Sequence, residues 1–198
     1  MDDIRIRPMV AADMAAACEV LGLAFADNPN TLALAGGDRV KAERIMRSGV
    51  RVGKLGRKFT QVFVAERAGA VVAVFNAAQW PRCQLSAAEK LRTAPRMLGL
   101  LGTALPRAAT AIRVMAKHDP AQPHWHLGPI GVHPDHQGRG IAKTMLTMFL
   151  GTADEQRIPA YLETDVERNV RLYQSFGFEV VDRADINGVD NRFMWRAA

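Results

Sequence analysis

Ile4, Ile6 and Met9 alternate with Arg5 and Arg7, the period of a half-buried strand. Residues 11–24 then turn rich in Ala, Leu and Met, with Met14, Cys18, Leu21 and Phe25 at helical spacing. Asp13 falls in the first turn, where an acid suits the helix dipole. Asp27-Asn28-Pro29 is a turn signal that ends this helix. A second helix is predicted over 38–55. Val40, Ile45 and Val50 lie toward one side, and Arg44, Arg47, Arg51 and Lys54 form a basic stripe on the other. Residues 61–66 and 71–80 are β-branched and aromatic runs joined by 67–70, a predicted hairpin.

The span 81–123 departs from this rhythm. Ser86-Ala87-Ala88-Glu89 is a capping-box pattern that opens a helical region, and Pro95, Pro106 and Pro120 are expected to break it up. An insertion of this length between two strands points to a lid, a substrate wall or a subunit contact. The pattern then resumes with a strand over 125–133 and a helix over 140–156, whose Ile141, Met145, Met148, Phe149 and Ala153 lie toward its apolar side. A short strand over 160–164 and a helix over 168–176 closed by Gly177 follow. Strands over 178–183 and 192–196 finish the chain, with Asn187-Gly188 in the turn between them. This order predicts a mixed α/β sheet in a single domain over 1–198, carrying 81–123 as a helical insertion.

Composition narrows the class. The 198 residues are 48% hydrophobic and 23% charged, ordinary for a globular protein, which excludes a disordered tail, a collagen-like fibre and a coiled coil. Cys18 and Cys83 are too few for a disulfide framework or a cysteine zinc cluster, and they fit a reducing cytoplasm. The most apolar stretch, 97–116, is interrupted by Arg107 and Arg113, so no span of a bilayer is expected. The N-terminus opens with acids and lacks the apolar core of a signal peptide, and a cytoplasmic location is expected. The net charge of +6 favours anionic partners. No aromatic residues interleave with the basic stripe, so it reads as a solvated face, and neither nucleic acid nor membrane is expected as a partner.

The candidate chemistry begins at Ile130-Gly131-Val132-His133-Pro134-Asp135-His136-Gln137-Gly138-Arg139-Gly140-Ile141-Ala142. A strand runs through a tight turn directly into a helix. Gly138 and Gly140 permit positive φ angles and a close approach of backbone to ligand. The first helical turn offers unpaired N–H groups and the positive end of a dipole, which suit a phosphate, and Arg139 and Lys143 add two cations. The spacing matches neither a P-loop nor a dinucleotide fingerprint.

The pattern Gln137-x-x-Gly140-x-Ala142 after a Val-x-Pro strand end resembles the acetyl-CoA pyrophosphate loop of the GNAT acyltransferase superfamily. Downstream, Leu162-Glu163-Thr164, Arg168-Asn169, Leu172-Tyr173 and Phe176-Gly177-Phe178 resemble that superfamily's C-terminal segment. Within it, the chain is most similar to the puromycin N-acetyltransferase group. That similarity lies in Ala24-Phe25-Ala26-Asp27-Asn28-Pro29, in Val132-x-Pro134-Asp135-His136-Gln137-Gly138 and in the long insertion. Ala142 departs from the glycine found there. The resemblance implies a central, mostly antiparallel sheet with splayed central strands flanked by helices. It also implies an N-acetyltransferase that moves an acetyl group from acetyl-CoA to a primary amine of a small molecule or peptide by direct transfer. A non-catalytic acyl-CoA-binding protein of the same fold is the alternative, and a homodimer is left open.

By the same resemblance, the backbone of Ile130, Gly131 and Val132 pairs with the pantetheine arm, and Gln137, Gly138, Arg139, Gly140, Ile141, Ala142 and Lys143 hold the diphosphate. Gly131 can support a bulge that splays the strands, while Ile130 and Val132 also read as core residues. Glu163 is the implied general base, its pKa expected to rise on partial burial; a structural acceptor or a solvated edge residue is the other reading. Asn169 is implied to bind pantetheine and Tyr173 to protonate the departing sulfur, although helix packing is the commoner role of such a tyrosine. Asp27, Trp80, Trp125 and His126 are candidate walls of the acceptor pocket, with core packing equally open for the tryptophans. His124, His126, His133 and His136 cluster in the sequence, but no matching carboxylate motif accompanies them and no metal is expected.

Overall fold

The computed structural model describes residues 4–55, 57 and 59–198. Strand β1 (Arg5–Pro8) leads through a single 3-10 turn into α1 (Met14–Phe25), followed by α2 (Pro29–Ala35) and α3 (Arg39–Gly53). The hairpin β2 (Thr60–Arg67) and β3 (Ala70–Gln79) precedes the insertion helices α4 (Ala87–Leu101) and α5 (Leu105–His118). Then come β4 (Trp125–Val132), α6 (Ile141–Glu155), β5 (Ala160–Thr164), α7 (Glu167–Gln174), β6 (Glu179–Ile186) and β7 (Val189–Arg196). The strands form one sheet in the order β1-β2-β3-β4-β5-β7-β6. Every neighbouring pair is antiparallel except β4 and β5, which run parallel.

Alternation along the central strands sorts the core into two layers. Ala73, Phe75, Ala77, Trp125, Leu127, Ala160, Leu162 and Met194 face α6 and α7 and pack with Met145, Phe149 and Val170. Val64 and Val74 face the other way, onto α1 and α3. The insertion joins this second layer: Leu101, Ala104 and Ala108 of 81–123 pack with Ala35, Ala42 and Ile45. It therefore covers the α1–α3 side of the sheet as a wall built on its own chain.

Four expectations are corrected. The seven residues after Asn28, Pro29–Ala35, form α2, because the Asn28 side chain accepts from Thr31 N–H and Pro29 sits at the first helical position, where its missing N–H costs nothing. Pro95 does not break α4. An interior proline costs about 3 kcal/mol, but the Ser86–Glu89 capping box and the burial of Leu101, worth about 1.5–3 kcal/mol, hold the helix through it. Val40 is 75% exposed and belongs to no core face. The irregularity in the central strands lies opposite Asn76, where the register shifts between Phe75 and Ala77, and not at Gly131. There Gly128 has φ +126° and its carbonyl accepts from Asn76 Nδ2 at 2.8 Å. Gly131 is needed for another reason: a Cβ there would meet Leu21 Cδ2 at 2.7 Å, so its absence lets α1 press onto β4.

Candidate active site

The parallel ladder between β4 and β5 is short. It pairs Trp125 with Ala160 and His126 with Tyr161, and beyond those positions the strands part. Ile130, Gly131 and Val132 are paired to β3 on one edge only. Their other edge, and the facing edge of β5, present backbone groups that need a partner. This parting is a cleft within the sheet, between β4 and β5.

At one end of the cleft, β4 runs through a 3-10 turn, Pro134–His136, into α6. Gly138 and Gly140 have φ of +74° and +77°, and a Cβ on either would meet nothing within 4 Å. Conformation, not crowding, requires glycine here, and the space beside the turn is open. The first ladder bond of α6 runs from Thr144 N–H to Gly140 O, leaving the amides of Ile141, Ala142 and Lys143 outside the ladder. Gln137 Nε2 donates to Val132 O at 3.1 Å and braces the turn. Arg139 and Lys143 are exposed at the same end. Burial, then Arg139 and Arg67, push the His136 imidazole below its ordinary pKa. These groups suit an anion.

At the other end, alternation turns Trp125 and His126 to opposite faces. Trp125 is 4% exposed, packs edge-on against Phe149 and donates Nε1–H to Gln156 Oε1. It is a core residue on the α6 side and not a pocket wall. His126 shares its face with Glu163, whose Oε2 lies 3.0 Å from His126 Nε2, and its Nδ1 lies 3.2 Å from Asp119 Oδ1. Burial works against both charges, but the Glu163 and Asp119 carboxylates hold the His126 pKa well above its ordinary value. Burial likewise pushes Glu163 up, and His126, helped by Lys54, pulls it further down. Glu163 is thus held ionised below its usual range, the reverse of the rise expected from burial alone, because its partner is a histidine the linear spacing does not connect to it.

Tyr173 belongs to the buried α6–α7 layer, so it and Glu163 stand on opposite faces of the sheet. Its ring packs edge-on against Phe178, and burial, then Asp165, push its phenol up to about 12, keeping it protonated at neutral pH. Asn169, half-buried, lies one turn earlier on α7. Asp165 accepts from Asn28 Nδ2 at 2.8 Å and Asn30 N–H at 2.7 Å, which docks the α1–α2 corner on the end of β5. The side chain of Asp27, by contrast, is 71% exposed and pairs with Arg39. Trp80 is half-buried just after β3, and its main-chain N–H donates to His124 O.

Three residues beside His126 were not singled out by sequence as one group: Cys83, Asp119 and His124. The carboxylate that the histidine spacing lacks is Asp119, which also accepts from Gln84 Nε2 at 2.8 Å. Burial raises the Cys83 thiol, and the His124 and His126 imidazoles beside it bring it down to about 7. The signal was topological. Gln79 and Trp125 pair across β3 and β4, so the two ends of 81–123 must meet, and Cys83 and Asp119 lie near those ends. His133 and His136 lie beyond the far end of β4, about 25 Å away at a rise of about 3.3 Å per residue.

Residues 50–178, well over half of the chain, match the model of the acetyltransferase (GNAT) family. An uncharacterized N-acetyltransferase of Schizosaccharomyces pombe is 32% identical over 54 residues, 27% of this chain and 22% of that protein, so the match spans under a quarter of its length. Among solved structures, a "histone acetyltransferase HPA2 and related acetyltransferase" of Corynebacterium glutamicum superposes with a TM-score of 0.71 at 23% identity, covering 100% of this chain and 98% of that one. The Drosophila melanogaster polyamine N-acetyltransferase, which forms N-acetylagmatine, gives 0.64 at 14% identity over 99% and 100%. A Salmonella typhimurium acetyltransferase solved with its cofactor acetyl-CoA gives 0.57 at 18% over 99% and 94%. Among the described residues no helix is long and apolar enough to cross a membrane.

Proposed function

Because this chain belongs to the acetyltransferase (GNAT) family, we propose that it moves an acetyl group from acetyl-CoA to a primary amine of a small molecule, directly, within a ternary complex. One observation carries the reading: the β4–β5 cleft has a helix start with unpaired amides at one end and a half-buried carboxylate, Glu163, hydrogen-bonded to His126 at the other. The 1–198 chain acts as one unit, with 81–123 as a wall of the acceptor side. The acetyl-CoA seen in a structure of the same fold, and the small amines used by another, support the choice of donor and acceptor. Both cysteines are buried and free, in keeping with a reducing cytoplasm.

The amides of Ile141, Ala142 and Lys143, with Gly138, Gly140 and the Arg139 and Lys143 cations, hold the diphosphate, and Gln137 keeps their turn in place. The free edge of Ile130, Gly131 and Val132 pairs with the pantetheine amides, with Asn169 on the opposite wall. A β4 amide facing the thioester carbonyl stabilises the charge that grows on its oxygen. Glu163, oriented by His126, takes the proton of the incoming ammonium directly or through one water. Tyr173, protonated at neutral pH, donates to the departing thiolate. Asp27 and Trp80 remain candidates for the acceptor side, together with His126.

The test is calorimetry with acetyl-CoA, followed by thiol release in the presence of a panel of mono- and polyamines. Saturable binding with amine-dependent release is expected. Absence of binding overturns the reading, and binding without turnover on any amine points to an acyl-CoA sensor.

A further inference from the structure

We propose that Cys83, Asp119, His124 and His126 form a closed four-coordinate metal site, suited to zinc, at the neck of the 81–123 insertion. The ligand atoms of these four residues lie within 4.8 Å of one another. Asp119 Oδ1 is 3.2 Å from His126 Nδ1 and 3.8 Å from His124 Nε2, and the other carboxylate oxygen, Oδ2, is 4.0 Å from Cys83 Sγ. Ligands on a tetrahedron with zinc bond lengths of 2.0–2.3 Å stand about 3.3–3.8 Å apart. The two edges from Oδ1 therefore lie at or near coordinating distance, and the thiol is close enough to join them with a small shift.

The imidazoles are turned the right way. His124 is fully buried, and its Nδ1–H donates to Gln122 O at 2.8 Å, which leaves the Nε2 lone pair facing the cluster. That Nε2 is buried and makes no hydrogen bond, a costly state unless something takes the lone pair. His126 gives its outer nitrogen, Nε2–H, to the Glu163 carboxylate, the arrangement by which metal-bound histidines are oriented, and turns Nδ1 to the cluster. One thiolate, two imidazoles and one carboxylate form a donor set that zinc accepts. Four protein ligands leave no open position, so the ion would act as a staple. It would join the turn after β3, the residue following α5 and the start of β4, and hold His126 against Glu163.

This site goes beyond the acetyl-transfer reading, and its test is elemental. Untagged protein, purified in reductant and dialysed, is analysed for metals by mass spectrometry, and about one zinc per chain is expected. Replacement with cobalt should give the visible d–d bands of a tetrahedral ion and a near-ultraviolet thiolate charge-transfer band. Cys83→Ser should abolish that band, and His124→Ala should lower the stoichiometry severalfold. Should either variant fail to fold, competition of the apo wild-type chain with a chromophoric chelator for cobalt supplies the same readout. Zinc-depleted protein that neither takes up zinc nor shows these bands overturns the proposal. So does one-to-one binding that survives both substitutions, since the ion then sits elsewhere.

Discussion

The two ends of the β4–β5 cleft are built from different materials. At the α6 end the chain presents main-chain amides and two positive-φ glycines, all within 137–143, with exposed cations beside them. At the Glu163 end the chemistry lies in side chains that start from the turn after β3, the residue following α5, β4 and β5, and meet in the interior. The first is a conformation that a short peptide segment can encode. The second exists only when the sheet has formed. Anion binding should therefore tolerate changes in distant parts of the chain, whereas acetyl transfer should not.

Perturbing each end in turn sharpens this contrast. The largest effect is expected for Glu163→Gln, which removes the proton acceptor and should lower kcat by about 10³-fold, some 4 kcal/mol of barrier. Calorimetry should find acetyl-CoA affinity within about twofold of wild type, and an equal loss in both would show that the two ends are not separable. Tyr173→Phe should lower kcat by about 10²-fold with acetyl-CoA binding kept, because only the proton for the thiolate is lost. An unchanged kcat would remove Tyr173 from the mechanism.

The paired Arg139→Ala and Lys143→Ala substitution should do the opposite, weakening acetyl-CoA by about tenfold, or 1.4 kcal/mol, with kcat at saturation little changed. This loss should shrink as salt rises, since both cations are exposed. The smallest effect concerns the insertion. The Ser86 backbone and hydroxyl, then Arg57, hold Glu89 at about 2. A carboxylate depressed in the folded state contributes stability above its ordinary pKa and loses it as pH falls toward the folded value. Limited proteolysis within 81–123 should therefore quicken between about pH 4.5 and pH 2, and Glu89→Gln should flatten that part of the profile.

Much of the fold was legible because its signals are local. Alternation at 4–9, the 67–70 hairpin, the Ser86–Glu89 capping box and the Asn187-Gly188 turn all stand where the pattern places them. The helix after Pro29 was hidden because its cap and its first residue are the same Asn28-Pro29 pair that reads as a turn. Pro95 and Val40 show the limit of propensity and period, since packing of α4 overrides the one and solvent claims the other. Within the candidate site, Glu163 and Tyr173 were singled out by spacing and resemblance. Neither the pairing of Glu163 with His126 nor the burial of Trp125 could be read off, because adjacent strand residues point to opposite layers only once the sheet defines them.

From its residues alone, this chain determines a strand–turn–helix whose glycines and cations suit a diphosphate, because φ angles and helix ends are properties of contiguous peptide. The tertiary structure decides how far β4 and β5 separate, that Glu163 is ionised beside His126, and that Cys83 and Asp119 return to His124 and His126 across the insertion. Those outcomes depend on through-space electrostatics and on the pairing of β3 with β4, and neither is written in the spacing of any one segment.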